Sequence, residues 1–151
     1  MKTTKFTSTI LAMFIVLLFT LTACTGDGES HGVSASLDVS DKQVVIKASS
    51  TGGSLEDTMS GFKEIGMLTY EGTTGDYGFY LTSVNGYTPN AENNEYWAIY
   101  TTLGEYEGVE YSNSEYGTYD YNGKTCASAS YGISGLPMVA GEIYILVVES
   151  Y

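Results

Sequence analysis

The 151-residue sequence has no arginine and little positive charge of any kind. Its six lysines stand against 18 aspartates and glutamates, which gives a formal net charge of −12. Proteins that bind nucleic acid neutralise phosphates with a cationic surface, and this chain has too few cations to form one. The composition therefore argues against nucleic acid as a partner. It does support a folded core, because 43% of the residues are hydrophobic and 13% are aromatic.

Cysteine and histidine are also scarce, with two cysteines and one histidine. A cysteine nucleophile needs a histidine beside it, and His31 lies in a short glycine-rich stretch far along the chain from Cys126. We expect Cys126 to be a small buried residue. No phosphate-binding glycine loop and no zinc-type spacing is found. The sequence thus predicts no enzyme, no catalytic residue, no metal and no resident cofactor.

One acidic segment leaves an alternative to the prediction that no metal is bound. Hard cations such as calcium prefer clustered oxygen ligands, which this segment offers, although its spacing is not that of an EF-hand loop. The residues concerned are Glu105, Glu107, Glu110, Asn113 and Glu115. Their other interpretation is a solvated acidic surface.

The N-terminus predicts a cleaved signal peptide over residues 1–23. Lys2 and Lys5 precede an apolar run from residue 10 to residue 19, which is too short to cross a hydrocarbon core of about 30 Å. The run ends in Leu-Thr-Ala followed by Cys24, which resembles the bacterial lipobox. This pattern predicts lipidation of Cys24 and attachment to the outside of the bacterial cell membrane. An ordinary signal peptide with a chance cysteine is the alternative.

After a small, polar stretch over residues 24–32, which predicts a flexible tether, the pattern becomes that of an α+β domain. Strict alternation over residues 33–39 and a returning apolar segment over 43–48 predict a hairpin. Ser54 and Asp57 form a capping-box pattern that opens a helix, and a glycine at position 66 is placed to end it. The predicted buried face of this helix consists of Leu55, Met59, Phe62 and Ile65.

The rest of the chain predicts short strands, with Asn85-Gly86 as the strongest hairpin turn and a long loop over residues 105–115. The expected strands cover residues 67–71, 77–84, 94–101, 116–121, 126–133 and 143–148. The last of them is apolar on both faces, so it should lie at the centre of a sheet. The helix can cover one side of it, and aromatic loops or an extra hairpin must cover the other. This order predicts one domain over residues 33–151, a β-grasp-like mixed sheet with one main helix and extra hairpins.

Three segments resemble a known family, the transcobalamin C-terminal-like domain of bacterial lipoproteins, usually described as a domain of unknown function. They are Tyr96-Trp97-Ala98-Ile99-Tyr100, Tyr131-Gly132-Ile133-Ser134 and Ala140-Gly141-Glu142-Ile143-Tyr144. The resemblance covers most of residues 44–151. It implies a β-grasp fold of the soluble-ligand-binding kind. In transcobalamins this domain closes over a corrinoid held against a separate helical domain, so cobalamin is an implied ligand if a separate helical partner protein exists.

Tyrosine is the most abundant aromatic residue, and all 14 tyrosines follow Cys24. Tyr106, Tyr111 and Tyr116 lie in a segment rich in glycine, serine and asparagine. Tyrosine combines a large apolar face with a polar tip, which suits recognition surfaces, although aromatics also fill ordinary strand positions. Trp97 alternates with Ile99, which favours a core position and leaves a ligand platform as the alternative. The predicted ligand-binding residues are Tyr106, Tyr111, Tyr116 and Trp97.

These features together predict a membrane-anchored, extracytoplasmic lipoprotein that acts as a non-catalytic binding module for a soluble ligand or a protein partner. A structural or adhesive cell-surface protein is one alternative. Capture of a corrinoid together with a separately encoded helical partner is the other.

Overall fold

The structure, a computed structural model, describes residues 35–76 and 78–151. The predicted signal peptide over residues 1–23, the lipidation site Cys24 and the tether over residues 24–32 lie outside the described residues. None of the helices in the described part is long and apolar enough to cross a membrane.

Ten strands and one α-helix make up the described regular structure, which confirms the α+β class. The helix α1 spans Leu55–Glu64. The strands are β1 (Ala35–Ser40), β2 (Gln43–Ala48), β3 (Tyr70–Gly75), β4 (Gly78–Val84), β5 (Glu95–Thr101), β6 (Glu105–Tyr106), β7 (Val109–Glu110), β8 (Ser112–Tyr121), β9 (Lys124–Ala129) and β10 (Ile143–Ser150). A single 3-10 turn, Ala91–Asn93, precedes β5.

The main sheet has six strands in the order β1-β2-β10-β5-β9-β8, and the hairpins β3–β4 and β6–β7 stand apart from it. The last strand is therefore central, between β2 and β5, as its two apolar faces predicted. All the described pairs are antiparallel, so the expected mixed sheet is wrong. The reason is the position of the first hairpin. Its second strand, β2, borders β10, and the two strands of a hairpin run in opposite directions.

One face of the sheet packs against α1 and the β3–β4 hairpin. Its buried apolar side chains, here called the helix-side core, include Val44, Ile46, Leu55, Met59, Leu81, Tyr144 and Leu146. The opposite face carries a second cluster, the hairpin-side core, which consists of Val45, Ala98, Tyr100, Cys126, Ile143, Ile145 and Val147. The alternation of these residues along β2 and β10 follows from the two-residue repeat of a strand.

The far half of the β8–β9 hairpin covers the hairpin-side core. β2 and β8 are four positions apart in the sheet, which corresponds to roughly 19 Å in a flat sheet. Even so, Gln43 on β2 donates its Nε2 hydrogen to Tyr119 Oη on β8 at 2.5 Å. Lys47 on β2 lies 5.2 Å from the ring centre of Tyr121. The hairpin must therefore fold across the sheet, which confirms that an extra hairpin covers the second face of β10.

The helix begins as the sequence predicts and ends one residue earlier than its apolar pattern suggests. Ser54 caps it, with the Asp57 N–H donating to Ser54 Oγ at 3.1 Å and the Ser54 N–H donating to Asp57 Oδ2 at 2.8 Å. The bond from Ser54 lowers the pKa of Asp57. Ile65 was predicted on the buried face, but it follows the last helical residue and is 67% exposed. The apolar pattern therefore extended the helix one residue too far.

Several predicted boundaries also shift. Asn85 and Gly86 both have positive φ, as a two-residue hairpin turn requires, but in the described part of the chain the turn is followed by a single isolated bridge, Val84 to Tyr87. The chain then leaves for β5, which pairs with β10 instead. The predicted loop over residues 105–115 contains the β6–β7 hairpin and the first part of β8, and β9 ends at Ala129.

Candidate functional site

A cleft of about 350 Å³ opens between β5 and β9. Residues 96–100 form one wall, residues 128–132 form the other, and Tyr116 contributes from β8. Its volume lies at the lower end of the roughly 300–1,000 Å³ that small-molecule sites occupy. The cleft is thus large enough for a small ligand or a short chain segment.

The cleft exists because the pairing of β5 with β9 stops early. The two strands are paired only at Tyr100 and Thr101. Beyond Ala129 the chain turns towards the helix, where the carbonyls of Ile133 and Leu136 accept the N–H groups of Glu56 and Leu55 at 3.0 and 2.8 Å. The free N–H groups of a helix N-terminus need such acceptors. Because the segment after Ala129 supplies these acceptors, it lies away from β5, and the cleft between β5 and β9 stays open.

Tyr116 reaches the cleft from a bulge. The register of β8 against β9 passes from Asn113 opposite Ser128 to Thr118 opposite Ala127, so residues 114–117 are additional on β8. Bulges of this kind redirect side chains. Tyr116 lies on this bulge, lines the cleft and is 77% exposed.

Trp97 is a core residue and a cleft residue at once. Its side chain packs with Ile99 against the helix-side core, which confirms the core interpretation of their alternation. Its ring meets that of Tyr87 edge-on at 6.2 Å. The indole Nε1 is buried and has no hydrogen-bond partner in the described part of the chain. Trp97 also belongs to the lining of the cleft.

The other two predicted tyrosines do not line the cleft. Tyr111 stands behind it, with its ring 5.4 Å from that of Tyr131, a lining residue that is 45% exposed. Tyr106 pairs with Val109 in the β6–β7 hairpin and packs against the helix-side core. The charge of Glu107 raises the pKa of Tyr106. The structure therefore brings Trp97 and Tyr116 together, places Tyr111 against the lining residue Tyr131, and leaves Tyr106 outside the site.

Sequence reasoning missed Tyr96, Tyr100 and Tyr131 as lining residues. Tyr100 donates its hydroxyl hydrogen to Glu149 Oε2 at 2.7 Å, and burial raises its pKa. Its ring lies 5.6 Å from that of Tyr119 in the covering hairpin. Alternation correctly predicted Tyr96 and Tyr100 as strand residues. The predicted strand over residues 126–133 gave no signal for Tyr131, whose one distinction in the sequence was that it begins a segment used for the family resemblance.

Among the residues that the structure describes, those lining the cleft include no acid and no lysine, although acids lie nearby. Glu115 precedes Tyr116 in the bulge, and Glu149 is opposite Tyr96 across the β5–β10 ladder. Three of the lysines lie over tyrosine rings elsewhere, at 4.7–5.2 Å from the ring centres. The surroundings of the cleft are therefore neutral to acidic.

Glu95 fixes the start of β5, at the open end of the cleft. Its Oε2 accepts from Tyr87 Oη at 2.6 Å and from the Asn90 N–H at 3.0 Å, and its Oε1 accepts from Lys42 Nζ at 3.3 Å. These bonds, with that from Tyr87 contributing most, lower the pKa of Glu95 to about 2. The carboxylate is thus a structural tie between β5, the preceding loop and the β1–β2 turn.

The remaining chemistry of the described residues is limited. Cys126 is buried, as predicted, and burial raises the pKa of its thiol, which keeps the thiol protonated at neutral pH. Among residues 35–76 and 78–151, no three or more histidines, cysteines, aspartates or glutamates are grouped so that they could hold a metal ion. What the cleft offers is aromatic surface and polar backbone, which suit binding.

Comparison with known proteins adds no assignment to this geometry. A scan against protein-family models finds no match, and a search of curated proteins finds no similar sequence.

Proposed function

We propose that the protein is a non-catalytic binding module, held outside the bacterial cell membrane by a lipid on Cys24, that binds a soluble ligand or a protein partner in the cleft between β5 and β9. The observation that carries the proposal is the exposed Tyr116 ring at an uncharged, aromatic cleft. Exposed aromatic rings beside a concave surface are typical of recognition sites.

The energetic value of Tyr116 can be estimated from its exposed area. A tyrosine buries on the order of 150–250 Å², and apolar area removed from water stabilises by about 25 cal/mol per Å². If a ligand covers about half of this ring, the gain is roughly 2 kcal/mol, or about 30-fold in affinity. Removing the ring should therefore weaken binding by a measurable factor.

The β-grasp relationship belongs to the same proposal. It is supported by the order of the elements: a hairpin, then the helix, then further strands with the last one central. Two of the segments that resemble the transcobalamin C-terminal-like domain, residues 96–100 and 131–134, border the cleft. The antiparallel pair of β2 and β10 is the feature in which this chain departs from a mixed sheet.

The anchor is tested by fractionating cells. Cys24→Ser should move the protein from the membrane fraction to the soluble fraction, because the acyl chains provide the attachment. Cys126→Ala is the matched control, since it removes the other cysteine and leaves Cys24 in place. A Cys24→Ser protein that stays in the membrane fraction contradicts the anchor.

The binding function is tested with the full chain in a non-ionic detergent. Thermal unfolding is followed by the fluorescence of Trp97, the single tryptophan, against a panel of amino acids, peptides, sugars and cobalamin. One ligand class should raise the melting temperature. The effect should be lost in Tyr116→Ala and retained in Tyr80→Ala, whose residue is 66% exposed but outside the cleft lining.

Three outcomes contradict this proposal or favour one of its alternatives. A ligand effect that survives Tyr116→Ala places the binding site elsewhere. If no soluble ligand raises the melting temperature and the protein binds to whole cells, the adhesive alternative is favoured. Cobalamin that stabilises only in the presence of a separate helical protein would favour corrinoid capture.

A further inference from the structure

The backbone of β5 has a strand partner on only one side along most of its length. β10 pairs with β5 from Glu95 to Thr101. β9 pairs only with Tyr100 and Thr101, at the end of the strand. Within the described part of the chain, residues 95–99 therefore form an open sheet edge, and most of that edge is a wall of the cleft.

The register shows which backbone groups point into the cleft. The Thr102 N–H donates to the Ile143 carbonyl at 3.1 Å. Hydrogen-bonded positions alternate along an antiparallel pair, so every second residue before Thr102 also bonds to β10. The residues between them, Trp97 and Ile99, direct their N–H and C=O groups away from β10 and into the cleft. Two such residues on a strand are about 7 Å apart.

The opposite wall shows the same alternation. The Ser130 N–H donates to the Tyr111 carbonyl at 2.8 Å, so the backbone of Ser130 faces β8. Its neighbour Ala129, the last residue of β9, therefore directs its backbone groups towards β5. Both walls of the cleft thus present main-chain donors and acceptors, and away from Tyr100 and Thr101 the described walls are not paired with each other.

We propose that the ligand of this cleft is an extended peptide, which enters between β5 and β9 as an added strand and forms hydrogen bonds with the backbone of both walls. The inference rests on the proposed function, since it takes the cleft to be the binding site. Unpaired backbone groups at a two-residue repeat are matched by another strand, which presents its own donors and acceptors at the same repeat. The size of the cleft limits the inserted part to a few residues.

Charge defines the partner further. The chain carries a net charge of −12, the cleft lining is uncharged, and Glu115 and Glu149 lie beside it. A second copy of the chain is repelled by this charge, whereas a basic peptide is attracted. The exposed faces of Tyr116 and Tyr131 can accept a cation, as three tyrosine rings already do from lysines of this chain. The peptide is therefore basic.

The first test measures binding of fluorescent pentapeptides to the full chain in a non-ionic detergent by anisotropy. The probes alternate lysine with valine, lysine with tyrosine, serine with valine, and glutamate with valine. At least one lysine probe should bind at least tenfold more tightly than the glutamate probe. Methylating the main-chain nitrogens of that lysine probe, at the odd or at the even positions, should weaken it at least tenfold, because each set of N–H groups faces one wall. Tyr116→Ala should weaken it and Tyr80→Ala should not.

The second test begins with the free chain and at that stage needs no probe. Hydrogen exchange measured by nuclear magnetic resonance should show fast exchange at the amides of Trp97 and Ile99 and slow exchange at Ala98 in the free chain. The lysine probe should slow the two fast amides at least tenfold. If Trp97 and Ile99 are as protected as Ala98 in the free monomer, the edge is already closed and the inference is wrong.

The outcomes separate this inference from the proposed function. If no peptide binds, or if the methylated probes bind equally well, while a sugar or another small ligand stabilises the chain through Tyr116, peptide insertion is refuted and the binding module remains. If neither peptides nor small ligands depend on Tyr116, both proposals fail. A chain that is dimeric by light scattering, with the amides of Trp97 and Ile99 protected, assigns the edge to a second copy and also overturns the inference.

Discussion

Tyr144 holds the segment that leads away from the cleft, and Tyr144→Phe tests how much that anchoring stabilises the domain. Its side chain is fully buried on β10. Its hydroxyl donates to the Pro137 carbonyl at 2.6 Å and accepts from the Val139 N–H at 3.0 Å. Burial raises the pKa of Tyr144 to about 12. Phenylalanine keeps the ring in place and removes both hydrogen bonds, so no large cavity is created.

The expected loss of unfolding free energy follows from the two hydrogen bonds of the Tyr144 hydroxyl. Each contributes about 0.5–1.5 kcal/mol net, so the free energy of unfolding should fall by about 1–3 kcal/mol in Tyr144→Phe. The measurement is urea unfolding of the full chain in non-ionic detergent, followed by the fluorescence of Trp97. With a urea m value of about 2 kcal/mol/M, a loss of about 2 kcal/mol lowers the midpoint by roughly 1 M.

Tyr151→Phe is the matched control, because Tyr151 is 87% exposed and the same atom is removed there. Its midpoint should not change measurably. The reasoning about Tyr144 is refuted if the two variants unfold at the same urea concentration. An unchanged midpoint would mean that Pro137 and Val139 are held by packing alone.

Three further perturbations test other parts of the fold. Ser54→Ala removes the helix cap and should lower the free energy of unfolding by about 1 kcal/mol in the same urea assay, whereas Ser54→Thr should keep most of it. The lowered pKa of Glu95 means that its ionised form stabilises the fold above about pH 4.5, and that this contribution is lost as the pH falls towards 2. Glu95→Gln should therefore reduce the change in melting temperature between pH 4.5 and 2. If the pH dependence of the melting temperature is unaltered, the Glu95 carboxylate does not hold β5 as described. In Gly72→Ala the new Cβ would lie 2.2 Å from the Tyr80 carbonyl oxygen, so a loss of about 1–3 kcal/mol is expected, while Gly75→Ala, where the space is open, should melt close to the unmodified chain.

The parts of the fold that sequence could predict are those with a local pattern. The apolar residues from Ile143 to Val148 showed a strand covered on both faces, and Ser54 with Asp57 showed where the helix begins. Whether the sheet is mixed or antiparallel could not be predicted, because a sequence shows that two strands form a hairpin and does not show which of them borders β10. The exposure of Ile65 was missed for a similar reason, since apolar spacing continued past the residue at which the backbone left the helix.

The candidate site was predictable only in its parts. Trp97 and Tyr116 were identified as recognition candidates from residue type and context, but nothing in their local sequence brings them together. The cleft depends on the four-residue bulge of β8 and on Ile133 serving as an acceptor for a helix N-terminus more than 70 positions earlier in the chain. Such contacts are set by tertiary structure. Tyr106 was predicted as a binding residue from the same local composition as Tyr111 and Tyr116. It lies outside the cleft because tertiary structure, and not local composition, decides which tyrosines line it.

The central position of β10 also has a consequence for the order in which the domain folds. Within the described sheet, β2 and β5 are joined only through β10, which follows both of them in the chain. Before Ile143–Ser150 joins them, the β1–β2 hairpin has no other strand partner in the main sheet, and β5 has only its short pairing with β9. Pairing between strands that are distant in sequence is the slow part of folding, and strand edges stay exposed until it is complete. Eight residues near the C-terminus therefore act as the closing step that turns separate hairpins into one cooperative domain.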